Sequence, residues 1–319
     1  MNDVSRAAAA LRAGDLVAFP TETVYGLGAD ASNAEAVAKI FVAKGRPADH
    51  PLIVHLPHAA QLSRWAMDIP ESAHRLADAF WPGPLTLILK RHPAVIDAIT
   101  GGQDTVGLRV PNHPLALRLL NEFGGGVAAP SANRFGHVSP TTAAHVRDEF
   151  GAAVSIVLDG GPSDVGIEST ILDLSSARPR ILRPGMLDAA ALADILGEMP
   201  AFGANAEAPR VSGSLESHYA PATPLRLVAP TELETTLRDA LEAGLSVVVF
   251  APGAASFVHA KLSWQASSMD PARYAHELYA SLRRFDAMQR DLIVVAAPPV
   301  ADAWCAVADR LRRAAAGGK

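Results

Sequence analysis

The residues of this chain whose types could do chemistry fall in a few short segments. In FPTETVYGLGADA at 19–31, Thr21, Glu22 and Thr23 follow a strand-like run and present two hydroxyls and a carboxylate at a turn. Lys44 and Arg46 flank Gly45 in a loop stiffened by Pro47 and Pro51. Two cations with one glycine between them can neutralise a polyphosphate, arginine as a fork and lysine as a point charge. The alternative is a solvated basic pair after a helix, where cations suit the dipole. In DTVGLRVPNHP at 104–114, a period of two puts Thr105, Gly107 and Arg109 on one face. Arg109 then shares its face with a residue lacking a side chain, as if something docks there. A buried structural ion pair is the other reading.

A third cluster, APSANRFGHVSP at 129–140, carries Ser131 and Asn133 in a loop after a short strand. Ser139 before Pro140 reads as a helix N-cap with proline in the first helical position. That role can coexist with anion binding, because a helix N-terminus also attracts negative charge. The last cluster joins GIESTI at 166–171 to ILRPG at 181–185. Glu168, Ser169 and Thr170 crowd the start of a strand, and Arg183 precedes a Pro-Gly turn; ordinary turn chemistry is the competing explanation.

Absent motifs narrow the choice. There is no GxxxxGK[ST] loop, no HExxH and no GxSxG elbow. Gly26, Gly28 and Ala31 fit only the loose, alanine-ended dinucleotide fingerprint, and the helix signal at Ser32 comes after it. A nucleotide would therefore be held by a less common set of basic and hydroxyl side chains.

These segments are positioned by alternating strand-like and helix-like runs. Ser32 and Glu35 have capping-box spacing and Gly45 stands at a helix stop, which predicts a helix over 33–44. Strand-like runs lie at 16–19, 52–56, 85–90, 105–110, 154–159 and 169–174. Helical patterns lie at 70–80, 115–123 and 140–150. The class is α/β with a mixed sheet, because some strands adjoin without room for a helix. The stretch 201–223, rich in Gly, Pro, Ala and Ser, reads as a linker. After it come strand 225–228, helix 232–243, strand 246–251, helix 272–289, strand 292–297 and helix 301–313. That rhythm predicts a small Rossmann-like domain over 224–319, and 1–200 forms the other domain.

Of the 319 residues, 49% are hydrophobic and 19% charged, enough for two packed cores. A net charge of −5 argues against a wholly basic nucleic-acid surface. The single cysteine, Cys305, excludes an internal disulfide or a thiolate-clustered zinc site and fits a reducing compartment. The longest apolar runs fall short of the roughly 18–20 residues that span a bilayer. In the N-terminal segment only AAAAL separates the charges, too little for a signal peptide. A cytoplasmic protein is expected.

In this order, FPTETVYGLG, KGRP followed by PLIVH, PSAN, GIESTI and LRPG closely resemble the threonylcarbamoyl-AMP synthases with a YrdC-type domain. The resemblance covers roughly residues 5–200. SHYAP at 217–221 and the small domain after it resemble the longer, two-domain branch. The fold so implied is a YrdC-like mixed twisted sheet with flanking helices, plus the Rossmann-like α/β domain.

The resemblance implies that Thr23, His55, Arg109 and Ser169 surround L-threonine, with Arg109 on its carboxylate. Lys44, Arg46, Thr105, Ser131, Asn133, Ser139 and Arg183 match the nucleotide and phosphate side, with Lys44, Arg46, Ser131 and Asn133 closest to the chemistry. Tyr219 matches a linker tyrosine that reaches the nucleotide. His50 stands where much of the family is expected to carry asparagine, and its protonation could add pH dependence. The implied reaction joins L-threonine, bicarbonate or carbon dioxide and ATP, with Mg²⁺ carried by ATP and no dedicated metal site. The product would pass to proteins that transfer the threonylcarbamoyl group to tRNA. Two rivals are a double-stranded RNA-binding module, for which weak RNA binding in the basic cleft would suffice, and a carbamoyl-adenylate-forming enzyme.

Overall fold

The computed structural model describes residues 3–205, 208–213 and 215–317. The chain forms two units, Met1–Phe135 with Ser139–Ser214, and Gly136–Val138 with Leu215–Lys319.

In the first unit the elements run α1 (Asp3–Arg12), β1 (Val17–Phe19), β2 (Gly26–Asp30), α2 (Ala34–Lys44), β3 (Ile53–His55), α3 (Leu62–Trp65) and α4 (Glu71–Phe80). They continue with β4 (Leu85–Lys90), α5 (Asp97–Thr100), β5 (Thr105–Arg109), α6 (Pro114–Phe123), β6 (Val127–Ala128) and α7 (Ala143–Phe150). The last are β7 (Ile156–Val157), β8 (Thr170–Asp173), β9 (Arg180–Arg183), α8 (Ala189–Leu196) and β10 (Ala201–Phe202). The strands join one mixed sheet in the order β10-β9-β8-β4-β5-β3-β6-β2-β1-β7. One core fills the side bearing Ile40, Val54, Leu56, Leu87 and Leu108. A second cluster joins Leu11 of α1 and Leu119 and Leu120 of α6 to Val17 and Phe19 of β1.

Two helix starts differ from the sequence expectation. Asn33, not Ser32, caps α2: its side chain accepts from the N–H groups of Glu35 and Ala36 at 3.0 and 3.1 Å. Ser32 is drawn away because its hydroxyl donates to Asp30 at 2.6 Å. The stop at Gly45 is formed as expected, with φ 62° in the left-handed region that glycine tolerates. Likewise α7 begins at Ala143, capped by Thr142, which accepts from His145 N–H at 3.2 Å. Ser139 is not a cap. The Pro140 carbonyl accepts from Tyr25 N–H at 2.9 Å, so residues 139–141 are tied to the 22–25 segment instead of starting a helix.

The glycines once matched to a loose dinucleotide fingerprint belong to β2. A Cβ at Gly28 would lie 2.8 Å from both Phe19 and Val127, so this strand packs only with glycine there.

The second unit contains β11 (Leu225–Val228), α9 (Leu233–Glu242), β12 (Val247–Ala251), β13 (Leu262–Ala266), α10 (Pro271–Ala287), β14 (Leu292–Ala296) and α11 (Cys305–Ala316). The strands run parallel in the order β11-β14-β12-β13. VVVFA and LIVVA are buried throughout, as strands covered on both faces must be. Gly136–Val138 belongs to this unit: His137 bridges Ala220, and Ala220 N–H donates to the Gly136 carbonyl at 2.8 Å.

The 201–223 stretch is divided. Its first part supplies β10 and Val211, which packs on Ile88, Ile171 and Leu182 in the first unit; residues from Leu215 onward belong to the second. Among the described residues, no helix is long and apolar enough to cross a membrane.

Candidate active site

Four adjacent strands, β8-β4-β5-β3, bring polar groups to one edge of the first unit's sheet. His55 ends β3 and Arg109 ends β5, and the two are register partners. Arg109 is 4% exposed; its Nη2 lies 2.7 Å from Glu22 Oε1, and its Nε donates to the Gly83 carbonyl at 3.2 Å. Ser169 precedes β8, and its hydroxyl lies 2.8 Å from that of Thr86 on β4. Thr23, fully buried beside Glu22, shares a 2.8 Å hydrogen bond with Thr21. The residues expected around threonine thus stand on neighbouring segments, with Glu22 and Thr86 added.

Arg183 ties this row to the basic side. It donates to the Ser169 carbonyl at 3.0 Å, the Ser169 hydroxyl at 3.1 Å and the Ser212 carbonyl at 2.9 Å. Arg46 reaches Ser212 from the other direction, donating to its hydroxyl at 3.2 Å and to the Pro51 carbonyl at 2.9 Å. Lys44 donates to the carbonyls of Ser131, at 2.5 Å, and Asn133. One buried lysine amino group therefore fixes the loop bearing two of the candidate residues.

Burial and the nearby Arg46 push Lys44 well below its ordinary pKa, because the charged form is poorly solvated there. Burial, with Arg109 close by, lowers His55 to about 3, so its imidazole is neutral at pH 7. His50 is also lowered, by partial burial and then by Arg46, so it too is neutral at pH 7. Its ring meets Phe135 edge-on at 5.3 Å, and Arg46 lies over the same ring at 5.9 Å.

The remaining candidates have other partners. Ser139 donates to Glu168 at 2.6 Å. Thr105 begins β5, four residues from Arg109, or about 13 Å along an extended strand. Between them, Gly107 meets Ile88 and Ile53, and a cleft lined by Pro51, Gln103, Thr105, Gly107, Arg210 and Ser212 runs along this face. The glycine that suggested docking thus makes room beneath the chain's own 208–213 segment. Tyr219 belongs to the second unit, where its ring packs on His218 and Tyr279 and beneath Arg310.

Sequence reasoning did not place Glu22, Thr86 or Ser212 in the site. Glu22 had a signal, an acid between two threonines at a turn; Thr86 inside LTLILK and Ser212 in an irregular stretch had none. The assembly offers buried donors without an activated nucleophile, which suits holding anions and orienting two reactants. Among the described residues no group of three or more His, Cys, Asp or Glu is placed to hold a metal ion.

Comparison with known proteins places the whole chain in a family. The Sua5–YciO–YrdC family model, described as "Telomere recombination", matches residues 9–185, and the model described as "Threonylcarbamoyl-AMP synthase, C-terminal domain" matches residues 185–316. A threonylcarbamoyl-AMP synthase from Bacillus subtilis is 39% identical over 98% of this chain and 93% of its own length. One from Pyrococcus abyssi is 40% identical over 97% of this chain and 92% of its own. The solved structure of P. abyssi Sua5 complexed with L-threonine superposes with a TM-score of 0.91 at 37% identity, covering all of this chain and 96% of that one. The two family models together match residues 9–316, and the chain belongs to the two-domain threonylcarbamoyl-AMP synthase family.

Proposed function

We infer that this chain is an L-threonylcarbamoyladenylate synthase, forming threonylcarbamoyl-AMP and pyrophosphate from L-threonine, bicarbonate or carbon dioxide, and ATP. The observation that carries the reading is the continuous hydrogen-bond network Arg46–Ser212–Arg183–Ser169–Thr86, buried except at Ser212, which joins a basic side to a hydroxyl-rich one. A reaction between an anion and a nucleotide needs such a junction.

The chemistry requires no protein nucleophile. The threonine ammonium gives up a proton, and the free amine adds to carbon dioxide with release of a second proton, or to bicarbonate with loss of water, giving an N-carboxylate. One carboxylate oxygen then attacks the α-phosphorus of ATP in line, and pyrophosphate leaves. The protein's part is positioning and charge stabilisation. Thr23, His55, Arg109 and Ser169 are assigned to L-threonine, Arg109 taking the carboxylate. Arg46, His50, Thr105, Ser131, Ser139, Arg183 and Tyr219 are assigned to ATP; Lys44 and Asn133 join Arg46 and Ser131 around the reacting phosphate. Mg²⁺ enters with ATP and offsets phosphate charge. The product serves the threonylcarbamoyladenosine modification of tRNA, handed on to transfer proteins, which makes the cytoplasm the working compartment.

Pyrophosphate release tests this. It should require threonine and bicarbonate together, and Arg109→Lys should raise the threonine requirement far more than that for ATP. Release driven by carbamoyl phosphate without threonine would instead favour the carbamoyl-adenylate reading.

A further inference from the structure

Four of the first unit's buried polar atoms that lack a hydrogen-bond partner belong to neighbouring residues: Glu22 Oε1 and Oε2 and Arg109 Nη2, whose side chains meet as an ion pair, and Nδ1 of His55, the register partner of Arg109. The Glu22–Arg109 ion pair at 2.7 Å partly compensates two of these residues, and both side chains are 5% exposed. Yet neither carboxylate oxygen accepts a hydrogen bond, although carboxylates buried in proteins normally accept several. Incompletely satisfied buried groups in one spot mark where an incoming ligand supplies the missing partners.

The charges at this point have a pattern. Arg109 is positive, Glu22 negative, and His55 adds no charge because burial keeps its imidazole neutral. An arginine alone would suit any carboxylate. A cation and an anion side by side suit a ligand that carries both charges on neighbouring atoms, as an α-amino acid does. The backbone around the carboxylate is also fixed. The Glu22 carbonyl accepts from Val165 N–H at 2.7 Å, the Thr23 carbonyl accepts from Gly166 N–H at 3.1 Å, and Thr23 N–H donates to Thr21 Oγ1 at 3.2 Å. Glu22 is thus preorganised and not merely swept in.

Resting on the reading above that an amino acid enters beside Arg109, we propose that Glu22 is the seat of the substrate's α-ammonium group, so that the Glu22–Arg109 pair exchanges partners with the zwitterion. Arg109 then takes the carboxylate and Glu22 the ammonium, four alternating charges replace two, and the formerly unpartnered oxygens of Glu22 gain donors. The ligand-free ion pair is what keeps Glu22 from being a lone buried charge. The arrangement selects α-amino acids over hydroxy acids and over simple amines.

Binding to the full-length protein, measured by calorimetry or ligand-observed NMR, separates this from a purely supporting role for Glu22. The probes are L-threonine, L-threoninol, which lacks the carboxylate, and (R)-3-hydroxybutyrate, which lacks the amine. Glu22→Gln should weaken L-threonine and L-threoninol by about tenfold or more, the loss of a charge-assisted hydrogen bond. It should leave (R)-3-hydroxybutyrate unchanged or tighter, because Arg109 is freed. Arg109→Lys should do the opposite, sparing L-threoninol. Unchanged L-threoninol binding in Glu22→Gln, or equal losses for L-threonine and (R)-3-hydroxybutyrate, would overturn the proposal and leave Glu22 as a prop for Arg109. If Glu22→Gln melts early, Glu22→Asp, which keeps the charge, should retain more L-threoninol binding than a Glu22→Ser variant; equal binding in those two overturns it as well. Wild-type protein that fails to bind L-threonine would sink the functional reading itself, a result distinct from either outcome for Glu22.

Discussion

In the second unit, the buried charges Asp309 and Arg310 are neighbours on one helix, 2.9 Å apart, and Asp309 also meets Arg312 and Arg313 of the same helix at 2.8 and 3.1 Å. In the first unit, Glu22, Lys44, Arg46, Arg109 and Arg183 are equally hidden, but their partners come from distant segments, such as Ser212 for Arg46, 166 residues away. A charge cluster built mostly among neighbours on one helix secures that helix, and here Arg313 also holds the chain outside it through the Leu215 carbonyl. One assembled from many segments costs more chain order and, around Glu22 and His55, still leaves buried atoms unsatisfied. The difference teaches where to look for function: the helix-local cluster holds its own element, whereas a cluster drawn from several segments, with unpartnered oxygens on Glu22, is where the proposed ligand would enter.

Substitution at Arg183 should show the contrast most strongly. Arg183→Met removes donors from the carbonyls of Ser169 and Ser212, each stranded acceptor costing about 1–3 kcal/mol, and should abolish pyrophosphate release as well. Denaturant unfolding and a pyrophosphate assay on the same variant check both. Arg310→Met in the second unit should cost far less of the pyrophosphate release, because Arg310 belongs to the cluster on α11, where Asp309 keeps Arg312 and Arg313. A loss at Arg310 matching that at Arg183 would break the comparison.

A smaller effect per step is expected from His55. Its folded-state pKa of about 3 lies below the ordinary 6.5. Below pH 6.5 the unfolded chain binds a proton that the folded chain refuses. The stability due to neutral His55 is therefore complete above that pH and declines toward pH 3, by up to about 1.4 kcal/mol per pH unit. His55→Gln should flatten this part of the profile in urea melts run across that range; an unaltered slope would mean that His55 is more open to water than its 4% exposure implies.

Much of the fold could be read from the residues because its signals are local. LTLILK at 85–90 and LRLV at 225–228 coincide with β4 and β11, since apolar runs between turns have few alternatives. Caps were harder. Ser32 and Ser139 carry the right chemistry, but Asp30 and Glu168 claim their hydroxyls, competition that no spacing rule reveals. β2, made of GLGAD, was missed because glycine is a poor strand former; here its smallness lets Phe19 and Val127 close in. β13, LSWQA, is only half-buried and lacks the apolar run that marked its neighbours. At the candidate site, residues in ordered motifs are proposed through family resemblance, and those without a motif, Thr86 and Ser212, became visible only when pairing brought them to Ser169 and Arg46.

The central claim is that the buried edge of the first unit joins an amino acid, through a carbon from bicarbonate, to AMP. Mass spectrometry of the wild-type protein incubated with ATP, L-threonine and carbon-13-labelled bicarbonate tests it most directly. The account predicts a threonylcarbamoyl-adenylate carrying one labelled carbon, formed together with pyrophosphate and lost in Arg183→Met. ATP turnover that yields no labelled adenylate, or an adenylate formed equally well without threonine, would contradict it.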